Sequence, residues 1–250
     1  MKGALLALGL AAGIALAAPR AGAADICATD ATLLESQYGL PGVTTILAAG
    51  QPLHVTAFGS SSTQGVGASS PDHTYPARLQ AELRRLYPRS EITVVNRGVA
   101  GDDSLGMLAR LDDDVIEARP DLVVWQTGTN SALRDVSVGE FYEHVIEGVR
   151  RMRAAGADVM LIGPQKSPRV DLAEHRAEFA EYLRAAGEVT RTAYFPRYEV
   201  MAGWLKSGQM TMPEMIDPDG LHMTDLSYDC LAKDVARMIA NLARPPVAQR

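Results

Sequence analysis

The chain has little of what a nucleic-acid or membrane protein needs. It contains no dense Lys/Arg run, and 24 basic against 30 acidic residues leave a formal net charge of −6. Phosphate backbones are held by clustered cations, so this balance argues against nucleic acid as the main partner. Beyond the first two dozen residues no apolar run approaches the roughly 20 residues that span a bilayer. Cysteine is scarce: Cys27 and Cys230 are the two present, too distant in sequence for a zinc knuckle. The His-Glu-x-x-His signature of zinc hydrolases and the Ser-x-x-Lys signature of β-lactamases are both missing. No repeat, low-complexity tract or internal linker is visible. Neither a metal nor an organic cofactor is implied.

The N-terminus reads as a processing segment. Lys2 precedes an uncharged apolar stretch, Ala4 to Ala18, and Ala21-Gly22-Ala23 forms a small-residue cleavage site. Residues 1–23 therefore resemble a secretory signal peptide. The alternative is a membrane anchor, for which about 15 apolar residues are too few. Loss of Lys2 and Arg20 would take the formal charge from −6 to −8. The expected location is secreted or periplasmic, with no stable membrane insertion after cleavage. Export puts Cys27 and Cys230 where a disulfide persists. Such a bridge would close a loop of about 200 residues, worth on the order of 5 kcal/mol in the chain-entropy account. Two separate buried thiols are the other possibility.

The rest of the chain alternates strand-like and helix-like segments. Short β-rich runs at 53–58, 92–95, 122–125, 159–162 and 193–195 read as strands. Between them, 75–86, 104–116, 137–154 and 172–186 carry helical periodicity, and 225–243 forms a closing helix before Pro245-Pro246. Ser137 and Glu140 make a capping box. Strands spaced by helices imply βαβ units with right-handed crossovers. The expected fold is α/β: a three-layer α/β/α sandwich on a mostly parallel, flavodoxin-like, five-stranded sheet. A 24–50 leader of unassigned structure would precede a domain at 51–250.

Ligands of such sheets sit beyond the carboxyl ends of the strands, and four polar segments occupy that place. Gly59-Ser60-Ser61-Ser62-Thr63 follows the first strand and can present a serine at a helix start, where free N–H groups favour an oxyanion; it can equally be a simple Ser/Gly turn. Asn96 to Asp103 follows the second strand, with Gly98 and Gly101 permitting close backbone approach or merely a tight turn. Gly128-Thr129-Asn130 follows the third; the Asn amide is a good oxyanion donor, or an Asx-turn. Asp219-Gly220-Leu221-His222 sets a carboxylate three residues before an imidazole, so the two can share a face as orienter and base. A capping Asp followed by a surface His would give the same pattern. A calcium loop at 217–220 would need further regularly spaced oxygens that are absent.

Together and in order, these four blocks resemble those of the SGNH/GDSL hydrolases, over residues 53 to about 240. The resemblance implies Ser61 as nucleophile, His222 as base and Asp219 as its orienter. It implies an oxyanion hole from the Ser61 and Gly101 N–H groups and the Asn130 side chain. One position departs: the family usually has Asp before the nucleophile, and this chain has Ser60. Thr63 and Gly65 fix the register on Ser61 within the serine run. The Gly-x-Ser-x-Gly elbow of α/β-hydrolases is broken by Thr63.

The implied activity is hydrolysis of carboxylic esters, with a short-chain acyl or O-acetyl group, the alcohol being a small molecule or a saccharide. A thioesterase or lysophospholipase on the same fold, and a non-catalytic exported polysaccharide-binding protein, are the alternatives. His54, His73, His144 and His175 read as structural, with His175 placed to reach the cleft rim. Met201, Trp204, Met210, Met212 and Met215 read as core or lid packing, with an acyl pocket as the other option. N-terminal sequencing of the exported protein should begin at Ala24; an intact Met1 in that fraction would refute cleavage.

Overall fold

The computed structural model describes residues 26–244, so the expected signal segment 1–23 lies outside the described residues. One sheet organises the molecule. Its strands are β1 (Leu53–Gly59), β2 (Ile92–Gly98), β3 (Leu122–Gln126), β4 (Asp158–Ile162) and β5 (Ala193–Phe195). Their spatial order is β2-β1-β3-β4-β5, and every neighbouring pair is parallel. This is the flavodoxin-type order, and it bears out the expected architecture.

The pleat divides the strand side chains between two cores. Val55, Ala57, Leu122, Val124, Met160 and Ile162 face one side; Phe58, Val123, Trp125, Val159 and Leu161 face the other. Both faces are covered, so these strands read as continuous apolar runs.

The helices are α1 (Pro41–Ala48), α2 (Ser61–Gln64), α3 (Tyr75–Leu86), α4 (Ser104–Ala109), α5 (Thr129–Leu133), α6 (Val138–Ala154), α7 (Pro168–Asp171), α8 (Arg176–Val189), α9 (Arg197–Lys206), α10 (Met212–Met215) and α11 (Asp225–Leu242). The first core packs under α1, α3, α9 and α11, the second under α4, α6 and α8. Ser137 caps α6 by accepting the Glu140 N–H, as its pattern predicts.

The 24–50 leader is built into the body from residue 26 onward. Leu34, Leu40, Val43 and Leu47 are buried in the first core, and the Leu40 N–H donates to the Leu242 carbonyl. Cys27 is disulfide-bonded to Cys230 of α11. Thr29 reinforces the tie, donating to Asp234 at 2.5 Å and accepting from Trp204 Nε1 at 3.0 Å.

Two helices differ from their expected extents. The 104–116 segment breaks: α4 ends at Ala109, and Asp112–Ile116 continues as a wider π-type turn. Leu105, counted with the apolar residues of that helix, is exposed. Arg110 at the break turns inward to pair with Asp102 and Asp114, which local periodicity does not register. The 172–186 helix runs instead over Arg176–Val189. The short α7 precedes it, capped by Ser167 and started by Pro168, and leaves Leu172 exposed between them. α9 and α10 lack a sequence assignment. They bury Met201, Trp204 and Met215 in the first core with Met210, and Met212 packs partly against it. These residues pack against the first core, the first of the two roles expected for them.

Replacing Cys27 by Ser removes the cross-link between the segment that precedes α1 and α11. A stability loss of about 2–5 kcal/mol is expected, read as a lower melting temperature that dithiothreitol reproduces in the wild type but not in the variant.

Candidate active site

All four polar segments meet at the carboxyl edge of the sheet. Ser61 is the first residue of α2, so its N–H has no acceptor within the helix. Each of the three serines has a distinct place. Ser60 turns inward, donating through both N–H (3.0 Å) and Oγ (3.1 Å) to Gln126 Oε1. Ser62 is buried. Ser61 alone faces the imidazole: its Oγ lies 2.9 Å from His222 Nε2. Thr63 also donates to Gln126 Oε1, at 3.1 Å, and Gly65 ends the helix at φ +100°. Thr63 and Gly65 thus stand where the register argument needs them.

The His222 ring is held from its other side. Nδ1 is hydrogen-bonded to Asp219 Oδ2. Asp219 Oδ1 accepts the Leu221 and His222 N–H groups at 2.8 and 2.9 Å. Burial raises the Asp219 pKa, but these donors and the adjacent ring outweigh it and hold the carboxyl below the usual value. Asp219 therefore remains the anion that orients the ring. His222 keeps 15 % of its side chain exposed and Ser61 is 7 % exposed, so neither is sealed from solvent.

The residues expected as oxyanion donors, Gly101 and Asn130, sit on two turns. Gly101 adopts φ +84°, a conformation that favours glycine, and its N–H takes part in none of the described backbone hydrogen bonds. Asn130 lies in the first turn of α5, and its Nδ2 donates to the Asp102 carbonyl at 2.8 Å. That bond fixes the amide against the Gly101–Asp102 turn and leaves a second Asn130 N–H for a ligand. Gly98 lets β2 touch the nucleophile helix: a Cβ there would lie 2.0 Å from the Gln64 nitrogen.

Other side chains hold this frame, and the sequence reading passed over them. Gln126, the last residue of β3, gathers the Ser60 and Thr63 donors on its one side-chain carbonyl. Arg110 lies over Phe58 and donates to the Gly59 carbonyl, the Arg97 carbonyl and Asp102. It thereby clamps the ends of β1 and β2 to the turn carrying Gly101. Gln165 and Arg197 connect the β4 and β5 ends to the remaining loops. None has a sequence signature, because each acts across the sheet rather than along the chain.

The other histidines stay outside. His54 faces Asp121 at the opposite end of β1. His73 pairs with Asp225, and His144 Nδ1 lies 3.0 Å from Ser104 Oγ. His175 forms an exposed pair with Glu178 and contacts none of the triad residues. Two surface hollows are lined by none of Ser61, Asp219 and His222, the first of them at the opposite, amino-terminal edge of the sheet where β4 begins at Asp158. The first, of about 680 Å³, is walled by Tyr38, Arg153 and Arg191, and the second, of about 620 Å³, by Gln64, Ser69 and Asn96.

Residues 26–245 match the non-GDSL lipase-like family. The chain is 30 % identical over 129 residues to the esterase TesA of Pseudomonas aeruginosa, covering 52 % of this chain and 60 % of the relative. It is 33 % identical over 81 residues to an acetylxylan esterase of Geobacillus stearothermophilus, covering 32 % and 37 %. Less than two thirds of either curated relative is spanned. A crystal structure of TesA superposes with TM-score 0.64 at 25 % identity, over 76 % of this chain and 99 % of that one. A two-domain esterase active on acetylated mannans shares the fold with TM-score 0.71 at 19 % identity, over 86 % and 56 %. These likenesses bear out the SGNH/GDSL resemblance and the α/β architecture.

Asn130→Ala tests the expected oxyanion role of this amide. A fall in kcat of roughly 10²–10³ with little change in KM is expected; unaltered kcat would exclude Asn130 from the oxyanion hole.

Proposed function

The chain belongs to the non-GDSL lipase-like family, and from that footing we propose that it is an exported serine esterase working through Ser61, His222 and Asp219. The observation that carries this reading is the 2.9 Å contact of Ser61 Oγ with His222 Nε2, on a ring whose Nδ1 is bound by Asp219. An alcohol, a base and an orienter in that order can activate a nucleophile without metal or cofactor.

Ser61 Oγ attacks the ester carbonyl while His222 Nε2 takes its proton. The carbonyl oxygen gains the charge and is received by the Ser61 and Gly101 N–H groups and the Asn130 amide. His222 then gives the proton to the departing alkoxide, which leaves as the alcohol. Water repeats the sequence: His222 deprotonates it, the acyl-enzyme is attacked, and the proton returns to Ser61 Oγ as the acid departs. Asp219 stays ionised throughout and stabilises the imidazolium.

The substrate is proposed to be a short-chain acyl or O-acetyl ester, with a small alcohol or a saccharide as leaving group. Support comes from the partial likeness to an acetylxylan esterase and from the N-terminal stretch at 1–23 that reads as an export signal. No helix among the described residues is long and apolar enough to cross a membrane.

Ser61→Ala is expected to reduce kcat toward p-nitrophenyl acetate by roughly 10⁶ and to abolish labelling by a fluorophosphonate probe. Screening acetylated sugars and p-nitrophenyl esters of increasing length should show highest kcat/KM at the shortest acyl groups. A preference beyond C8, or for thioesters, would replace the acetyl-ester reading. Wild-type protein that resists the probe would refute the triad.

A further inference from the structure

The least expected side chain in the molecule is Arg197, the first residue of α9. It is 0 % exposed and points into the protein beneath the catalytic edge of the sheet. A buried charge is normally neutralised by a partner of opposite sign. No carboxylate lies among the hydrogen-bond or ion-pair partners of Arg197 in the described residues. Its neighbours are neutral. Nε donates to the Gly163 carbonyl at 2.8 Å and Nη2 to Gln165 Oε1 at 2.6 Å, while Nη1 is buried without a hydrogen-bond partner. Burial pulls its pKa down to about 10, so the guanidinium stays charged at neutral pH. The nearby phenols stay protonated, since burial pushes Tyr75 up to about 12 and raises Tyr194 and Tyr228 as well.

An unneutralised cation in a core is a standing destabilisation, and packing gives no reason for it. Its contacts give one. Gln165 Oε1 receives both Arg197 Nη2 and, at 2.8 Å, the hydroxyl of Thr129. Two donors on that oxygen fix the orientation of the Gln165 amide. Its NH₂ must then face the other way, and Nε2 donates to the Leu221 carbonyl at 3.3 Å. Leu221 stands between Asp219 and His222; Thr129 immediately precedes Asn130. One amide, oriented by one buried cation, therefore touches both the loop that carries the base and the turn that carries an oxyanion donor. On the far side of the Asp219–His222 loop, Arg169 N–H donates to the Gly220 carbonyl at 3.0 Å, so the post-β4 segment supports the loop at two successive carbonyls.

We propose that Arg197 and Gln165 form a positioning relay that sets the separation of the His222 imidazole from the Asn130 amide, and that the buried charge persists because it fixes the direction of the Gln165 amide. The relay rests on the Ser61–His222–Asp219 reading. Neither residue touches substrate; both act through the loops they hold. Reacting groups displaced by an ångström lose about 10²-fold in rate, so small slippage of either loop is costly.

Two replacements of Gln165 separate this role from a purely structural one. Gln165→Glu gives Arg197 an ionic partner but places an oxygen, with no N–H, against the Leu221 carbonyl. The expected result is a melting temperature equal to or above wild type together with a kcat about 10- to 100-fold lower and KM within about twofold. Gln165→Met keeps the volume and removes both contacts; it should show a similar kcat loss with a lower melting temperature. Activity falling while stability moves in opposite directions supports the relay. The proposal is overturned if either variant keeps wild-type kcat, or if kcat follows melting temperature across the pair. Failure of the triad reading is distinguishable, because it appears in the wild type as resistance of Ser61 to fluorophosphonate, and that result would overturn the relay as well.

Discussion

A parallel strand cannot turn back on itself; the chain must cross over a face of the sheet before the next strand begins. In this molecule every paired strand is parallel, so each carboxyl end emerges on one edge and each helix that follows starts there. Free N–H groups of the first helical turns and the glycine turns between strand and helix are thereby gathered along that edge. The expected nucleophile after β1, the Gly101 turn after β2 and the Asn130 turn after β3 are consequences of this single constraint.

Convergence alone does not fix the separations that chemistry needs. These are set by polar side chains bridging adjacent strand ends. Gln126 gathers Ser60 and Thr63 and thus seats α2 on β3. Arg110 holds the ends of β1 and β2 against Asp102. Gln165 and Arg197 do the same between β4, β5 and the His222 loop. Each bridge buries polar atoms at a cost, and each spans the carboxyl ends of neighbouring strands or the loops that leave them. Charge and amide groups are concentrated where position matters most, while the two faces of the sheet are packed with aliphatic and aromatic side chains.

The N-terminal segment shows a different kind of dependence. Its apolar residues have no regular period long enough to identify an element, yet Leu34, Leu40, Val43 and Leu47 complete the first core. The disulfide and the Thr29 hydrogen bonds hold that segment to α9 and α11. Its order comes from what it packs against rather than from its own propensity.

Strand and helix succession, the parallel sheet and the four polar blocks were legible in the sequence because each is a local pattern: β-branched runs, helical spacing, glycine beside serine, Asp three before His. Among the three serines, Ser61, singled out by the family resemblance, is the one that stands against His222. The break after Ala109, the late start of α8, the burial of the methionines and the roles of Arg110, Gln126, Gln165 and Arg197 were not legible. Arg110 reaches the Arg97 and Gly59 carbonyls 13 and 51 positions away, Gln126 reaches Ser60 across 66 and Gln165 reaches Leu221 across 56, separations that no short window of the sequence contains. The sequence by itself determined which groups are available and at which end of the sheet they emerge. Only the tertiary structure decided their distances, because a hydrogen bond across strands is set by packing of both faces and not by either strand alone.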